Sequence, residues 1–331
     1  MIVVSQRQVG ALLSMRDCIE IMSRALASLA RGESILPLRT VIRLPSGRDF
    51  FALMPGVVGS PDAFGAKVIT VFPGNEGTNL DSHLGAVLLF DSRTGALQAI
   101  LDASSITAIR TAAVSALATR HLARDDADDL AILGSGVQAR SHLEAMQLVR
   151  PIRRVRIWSR NSANAEALAE SMTDSLRIEV MPTAEEAIRG ASIICTTTSS
   201  KEPIVRGSWI ADGAHLNVVG ASTPQAREVD TDTVVRSRVF VDRRESALNE
   251  PGDILVPLSE GAITPAHLIA DIGEVVAGLR PGRDSTAEIT LFKSLGLAVE
   301  DIAAAQHVYE GAIAQSIGTV VELGGTRDAH T

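Results

Sequence analysis

The segment that most constrains this 331-residue chain lies near its middle. Leu130-Ala-Ile-Leu133 is a short apolar run of strand type, and it leads directly into Gly134-Ser-Gly136-Val-Gln-Ala139 and a helical stretch. This is the G-x-G-x-x-A pattern of a dinucleotide-binding turn. Gly134 allows the tight turn and Gly136 lets backbone approach a pyrophosphate. Ala139 lets the helix pack closely on the strand, and the helix N-terminus presents N–H donors and the positive end of its dipole. Glycine-rich turns are common, so context decides. Here five more β candidates follow, at 155–158, 178–180, 193–196, 216–219 and 239–241, with helical stretches including 137–149, 162–173 and 183–190 between them. Short strands alternating with helices predict a doubly wound parallel sheet. The alternative is a structural strand–helix turn with no ligand.

The flanks follow other periods. Val9, Leu12, Leu13, Ile19, Met22, Leu26 and Leu29 recur at helical spacing, which predicts one amphipathic helix over 8–31. Short β-like runs follow at 39–43, 50–54, 65–72, 85–90 and 98–101, with Pro45-Ser-Gly47 and Asp91-Ser-Arg-Thr-Gly95 as turn signals. The stretch 106–122 is alanine-rich, free of Gly and Pro, and reads as a strong helix. Beyond about residue 250 the pattern is helical, clearest at 265–279 and 297–318, and 324–331 reads as a disordered tail. A hairpin-rich α+β region thus precedes the doubly wound one, and the length suits about two domains.

Composition excludes several classes. The net charge is −8, from 31 Lys and Arg against 39 Asp and Glu, with no basic run, so neither nucleic acid nor an anionic membrane is an expected partner. No apolar run approaches the roughly 18 residues of a membrane helix, and the N-terminus lacks a signal-peptide pattern, which points to a cytoplasmic protein. Cys18 and Cys195 cannot build a disulfide framework, and the seven histidines show no metal spacing, so no metal is expected. A G-x-S-x-G elbow and a Walker loop are both absent. Aromatics are only 3%, so Ala, Val, Ile and Leu must build the core.

Chemistry-bearing residues fall into two groups. After the second strand candidate the chain reads Ser159-Arg160-Asn161, with no acid to bond a ribose 2′-hydroxyl. Hydroxyl, guanidinium and amide together suit a 2′-phosphate, which favours NADP(H) over NAD(H). Stacking of Arg160 on adenine in an NAD enzyme is the other reading. In the N-terminal third, Arg39 and Arg43 lie in a β-like run, Lys67 in Phe-Gly-Ala-Lys-Val, and Arg110 in the alanine-rich helix. Arg suits bidentate carboxylate binding, and a desolvated Lys can move protons. Taken alone, each reads more readily as a surface cation or a structural ion pair than as a functional group. His83 is a candidate proton donor or cofactor contact, or an ordinary loop histidine.

At these residues the chain resembles the ornithine cyclodeaminase/mu-crystallin family nearly end to end. The resemblance rests on Pro37-Leu-Arg39-Thr-Val41, Met54-Pro55, Lys67-Val68, 85–89 with Gly95, and Ile106-Thr-Ala-Ile-Arg110-Thr111-Ala-Ala-Val-Ser115-Ala. It continues through Gly134-Ser-Gly-Val-Gln138-Ala139, Gly213-Ala-His215-Leu-Asn217-Val-Val-Gly220-Ala, Gly252-Asp253, and 292–301. The family resemblance implies a homodimer, with a substrate and dimerisation domain over 1–112 plus 292–325 and an inserted Rossmann domain over 113–291. It implies that Arg39, Lys67 and Arg110 hold the substrate, Lys67 and Arg110 acting in catalysis. It implies cofactor contacts at His83, Thr111, Gly134, Ser135, Gly136, Val137, Gln138, Ser159, Arg160, Asn161, Asn164, Thr198, Val219 and Ser294. The cyclodeaminases of the family carry acids where this chain has Ala52 and Ser222. The run Val219-Gly-Ala-Ser222-Thr-Pro224-Gln-Ala-Arg227-Glu228 is instead similar to the mu-crystallin and ketimine-reductase branch. The expected activity is NAD(P)H-dependent reduction of a small α-imino acid, foremost a cyclic ketimine such as Δ1-pyrroline-2-carboxylate or Δ1-piperideine-2-carboxylate. Three alternatives stay open: an alanine-dehydrogenase-like or iminosuccinate-reducing activity, ornithine or lysine cyclodeamination, and a non-catalytic crystallin-like binder of NADPH.

Overall fold

The computed structural model describes residues 1–75, 77–172 and 177–324. Most of the anticipated tail, and the end of the helix anticipated at 162–173, lie outside the described residues. The chain forms two compact units: Met1–Arg110 with the chain from Leu297 onward, and Thr111–Gly296.

The first unit is built on β1 (Ile2–Val4), β2 (Thr40–Arg43), β3 (Phe50–Val58), β4 (Ala63–Val71), β5 (His83–Phe90) and β6 (Leu97–Asp102). With the terminal strand Thr319–Val320 they make a seven-stranded sheet in which β1 lies beside β6 and β6 to β2 follow in reverse chain order. The β1–β6 pair is parallel; the other neighbours are antiparallel. Turn chemistry sets the hairpins. At 91–95, Asp91 Oδ1 accepts from the N–H groups of Arg93 and Thr94, and Gly95 takes φ +72°, a left-handed conformation that costs glycine nothing.

The helix expected over 8–31 is two helices, Gln6–Leu12 and Met15–Ala30. Ser14 interrupts it: its Oγ accepts from the Asp17 N–H at 3.1 Å and caps the second helix. The apolar spacing runs through the break because both helices turn one side inward, burying Val9, Leu13, Ile19, Met22 and Leu26. The helix Ala298–Gln315 packs on Met15–Ala30 and on β3, β4 and β5. Its first turn carries Glu300 and Asp301, where negative charge suits the helix dipole.

The second unit is a parallel sheet of β7 (Asp129–Leu133), β8 (Arg154–Trp158), β9 (Ile178–Val180), β10 (Ile193–Thr196), β11 (His215–Val218), β12 (Ser237–Val241), β13 (Leu268–Asp271) and β14 (Ile289–Lys293). The order β13-β12-β14-β11-β10-β7-β8-β9 makes it a Rossmann-type sheet, with the strand order reversing between β7 and β10. In such sheets ligands bind beyond the carboxyl ends of the strands at that reversal. Two strands depart from expectation. The helix anticipated at 265–279 is a one-turn Pro265–His267 element, then β13, then a short helix Ile272–Val276. Leu268, Ile269, Ala270 and Ile272 satisfy either period over so short a run, and pairing with β12 decides the outcome. A capping box between Asp271 and Glu274 then starts the new helix. The unforeseen β14 lies buried between β11 and β12. Its Ile-Thr-Leu-Phe-Lys sequence shows no alternation because both of its faces are covered.

Candidate active site

In the first unit, strand and helix place cations in the interior. Lys67 sits in mid-β4, opposite Met54 on β3 and Val87 on β5, and is only 2% exposed. Arg110, on the helix Ala103–Leu122, is 4% exposed. A buried charge is tolerated only with partners, and the helix Ala298–Gln315 supplies them. Lys67 Nζ donates to Asp301 Oδ1 at 3.1 Å, and Arg110 Nε donates to the same oxygen at 2.9 Å. Arg110 Nη1 donates to Glu300 Oε2 at 2.9 Å. Both carboxylates are fully buried. Bonds from Nε and Nη1 to two separate acids fix the plane of the guanidinium.

Electrostatics follow from that geometry. Burial pulls the Lys67 ammonium down to about 8, with Asp301 opposing and Arg110 and Arg39 assisting. Burial pushes the Asp301 carboxyl up, but Arg110 and Lys67 outweigh it and hold it below the ordinary range. Lys67 is therefore an ammonium that can give up its proton near neutral pH, held beside a carboxylate that stays ionised. Half-buried Arg39 directly precedes β2 and adds its charge to this field. Arg43 belongs elsewhere: its Nη1 donates to the Gly47 carbonyl and its guanidinium lies 4.7 Å from the centre of the Phe50 ring. His83 opens β5 and is exposed by area, yet surrounding protein still desolvates its ring. That desolvation, with the charges of Lys67 and Arg110, lowers its pKa. The structure thus brings Arg39, Lys67, His83 and Arg110 within electrostatic reach of one another. It adds Glu300 and Asp301, whose signal in sequence is two adjacent acids inside the apolar run 295–305.

In the second unit, the anticipated cofactor residues gather at the carboxyl ends of strands. Residues 134–138 follow β7, Ser159–Asn161 follow β8, Thr198 follows β10, Val219 follows β11 and Ser294 follows β14. Asn164 is exposed on the helix after β8, and Thr111 is buried at the start of the unit. Gly134 takes φ +122°, and a Cβ there would meet Thr197 Oγ1 at 2.6 Å. Ser135 Oγ and Ser159 Oγ lie 2.9 Å apart, joining the glycine turn to the end of β8. Asn161 Oδ1 accepts from the Ala163 N–H and caps the next helix. His142, pulled down to about 4 by burial, is neutral; its Nδ1 donates to the Gln138 carbonyl at 2.7 Å while Nε2 accepts from Ser115 Oγ at 2.9 Å.

These residues fit a dinucleotide. A Cβ on Gly136 would meet nothing within 4 Å, so space is open beside the turn. The helix Val137–Gln147 has Gly136 as its N-cap and no side-chain cap hydrogen bond, a start that suits an anion. Ser294 Oγ is buried without a hydrogen-bond partner. Among the described residues, no group of three or more His, Cys, Asp and Glu could hold a metal ion, and no helix is long and apolar enough to cross a membrane.

Together these features define a two-unit α/β protein with a Rossmann dinucleotide-binding unit. The sequence profile of the ornithine cyclodeaminase/mu-crystallin family matches residues 1–316, and the chain belongs to that family. The mouse ketimine reductase mu-crystallin is 41% identical over 292 residues, covering 87% of this chain and 90% of its own. A solved structure of Thermococcus litoralis Δ1-pyrroline-2-carboxylate reductase, in complex with NADH and L-proline, superposes with a TM-score of 0.95 at 40% identity, covering 97% of this chain and 100% of that one. An archaeal alanine dehydrogenase, solved as a dimer with bound NAD, gives 0.93 at 31% identity over 98% and 99% of the two chains.

Proposed function

We propose that this chain is an NAD(P)H-dependent reductase of small α-imino acids, with a cyclic ketimine carboxylate (Δ1-pyrroline-2-carboxylate or Δ1-piperideine-2-carboxylate) as substrate. The observation that carries the reading is the buried Lys67–Asp301–Arg110–Glu300 cluster, which couples a carboxylate-binding guanidinium to an ammonium of near-neutral pKa. Arg110 and Arg39 hold the substrate carboxylate, and Arg110 is already oriented for it. Lys67 supplies the proton that the imine nitrogen needs to accept a hydride. Asp301 keeps Lys67 charged against its burial. The reduced nicotinamide supplies the hydride when bound, and residues 134–138, Thr198, Val219 and Ser294 hold that cofactor. Serine, arginine and amide side chains at Ser159–Asn161 suit the 2′-phosphate of NADPH. The two solved relatives hold NADH and NAD, so both cofactors belong in the test.

Cyclodeamination is disfavoured by Ala52 and Ser222, which stand where the cyclodeaminases of the family carry acids. Open-chain reductive amination is the second reading, favoured by the likeness to the alanine dehydrogenase. The chain acts as a homodimer in this reading. Ile42, Phe51 and Leu53 leave an exposed apolar face on β2 and β3, suited to a second copy. The test is NADPH and NADH consumption with both cyclic imino acids and with pyruvate plus ammonia, alongside a light-scattering mass. Turnover fastest on a cyclic imino acid supports the proposal. Tight cofactor binding with no turnover on any of these overturns it in favour of a binding protein.

A further inference from the structure

Behind the carboxyl ends of β10 and β11 lies a buried acid that the proposed reaction does not use. Glu228 is fully buried, and four donors converge on its carboxylate. Oε1 accepts from the Thr198 N–H at 2.7 Å and from Thr198 Oγ1 at 2.8 Å. Oε2 accepts from Thr196 Oγ1 at 2.8 Å and from the Gly220 N–H at 2.6 Å. The two loops meet so closely here that a Cβ on Gly220 would lie 2.0 Å from the Thr198 carbonyl oxygen.

The acid is itself held from behind. The N–H groups of Glu228 and Val229 donate to Asp253 Oδ1 at 2.8 and 3.1 Å. Asp253 Oδ2 pairs at 3.1 Å with Lys293 Nζ, which is wholly buried at the end of β14 and makes no aligned hydrogen bond. The residue after Lys293 is Ser294, whose N–H donates to the Val218 carbonyl at 3.0 Å and whose buried hydroxyl is unpartnered. One chain of contacts, Lys293–Asp253–Glu228, therefore reaches the loops after β10, β11 and β14. Among the described residues, none of the hydrogen bonds to the side chains of Glu228, Asp253 and Lys293 comes from Gly134–Gly136 or Ser159–Asn161; the glycine turn meets this region only through Thr197, which lies against Gly134. In a Rossmann unit the adenosine half of the cofactor lies over the first two strands and the other half over those beyond the reversal.

We propose that Glu228 is a positioning residue for the nicotinamide half of the cofactor, clamping the loops at Thr198 and Gly220 while Asp253 and Lys293 hold it in place. This rests on the cofactor assignment above but not on the imine substrate. Gln in place of Glu228 offers one acceptor oxygen to four donors and sets an amide NH₂ against a backbone N–H, so the clamp opens.

Fluorescence titration of Glu228→Gln with NADPH and with 2′-phospho-ADP-ribose, which lacks the nicotinamide, tests this. NADH and ADP-ribose run in parallel. The expected result is a Kd for the whole cofactor raised about tenfold or more, with the fragment's changed by less than about twofold. Thr196→Val removes one donor from Oε2 without altering any cofactor-facing side chain, and should show the same selectivity in smaller measure if Glu228→Gln folds poorly. Equal weakening of cofactor and fragment in both variants, or no weakening in either, overturns the proposal. Failure of the wild-type protein to bind either whole cofactor overturns the cofactor assignment and this inference with it. Selective weakening without any imine turnover would sink only the proposed reaction.

Discussion

The sharpest consequence of the buried cluster concerns Asp301→Asn. In the wild-type protein Lys67 titrates near 8 although it is buried, because Asp301 Oδ1 sits 3.1 Å from its Nζ and opposes the desolvation. At pH 7 a group of that pKa is about nine-tenths protonated. The substitution keeps the shape and removes the charge. An opposite charge at such a distance is worth roughly 1 to 3 pH units, so Lys67 should fall to between about 5 and 7, with burial and Arg110 now unopposed. The sign is definite. The proposed proton donor is the ammonium, so activity is present below its pKa and lost as pH rises through it. The alkaline limb of kcat/KM should therefore move from about pH 8 in the wild type to about pH 7 or lower in the variant. At pH 8, where the wild-type lysine is half protonated, the loss should be about fivefold for a variant pKa of 7 and about five-hundredfold for one of 5. The assay is kcat/KM against pH at saturating NADPH with one cyclic imino acid. Because both proteins receive the same substrate, its own titration cancels from the comparison. Breaking a buried pair also destabilises, by roughly 3 to 5 kcal/mol, so a melting curve accompanies each pH series. A folded Asp301→Asn protein whose alkaline limb coincides with that of the wild type would refute the role assigned to Lys67.

Three further outcomes follow from other parts of the molecule. Arg160→Asp should shift the kcat/KM preference toward NADH by about tenfold or more, since it replaces the guanidinium proposed to bind the 2′-phosphate with an acid of the kind that bonds a ribose hydroxyl; an unchanged ratio removes the 2′-phosphate argument. Gly134→Ala, forced into φ +122° with its Cβ 2.6 Å from Thr197 Oγ1, should weaken cofactor binding and lower stability by roughly 1 to 3 kcal/mol, and wild-type values in titration and urea unfolding would contradict the turn geometry. His142 is pulled from 6.5 to about 4, so the unfolded chain takes up a proton that the folded one refuses as pH falls between these values. It should contribute stability above pH 6.5 that is lost toward pH 4, on the order of 3 kcal/mol in all. Unfolding midpoints of wild type and His142→Gln at pH 7 and pH 5 check this, and an equal loss in both proteins would discount it.

Local constraints were the legible ones. The turn at Gly134–Gly136 can be recognised because positive φ, an uncapped helix start and close helix packing each demand a residue type within six positions. The hairpin at 91–95 is equally local, with Asp91 bonding its own turn. By contrast β13 and β14 are decided by pairing with strands far away in sequence, and a five-residue apolar run carries no period that could announce that pairing. The break at Ser14 hides because the buried faces on either side of it continue each other. The candidate site divides in the same way. Lys67 and Arg110 stand out as cations in apolar or small-residue settings, which is a local oddity. Asp301 shows in sequence only as one of two adjacent acids in an apolar run; that it pairs with Lys67, 234 residues away, and with Arg110, 191 away, is decided by the packing of the last helix. Glu228 is hidden likewise, its four donors spread over residues 196 to 220.

The composition of the cluster also bears on which form of substrate the proposed reaction takes. Lys67 and Arg110 pair with Glu300 and Asp301, and Arg39 adds its positive charge to their field. A cyclic imino acid with a neutral ring nitrogen carries −1 and is drawn by the guanidinium charges; its iminium form carries no net charge and is drawn less. In the proposed reaction the site should therefore favour the carboxylate with an unprotonated imine. The proton must then come from within, and Lys67, lowered toward neutrality, can release one: after transfer to the ring nitrogen, the neutral amine can still donate an N–H to Asp301. Binding and activation are in this way separated. In the proposed reaction the carboxylate is chosen by the fixed charges of Arg39 and Arg110, and the electrophile is made only after the substrate has entered, by a lysine whose pKa its burial has already brought to about 8.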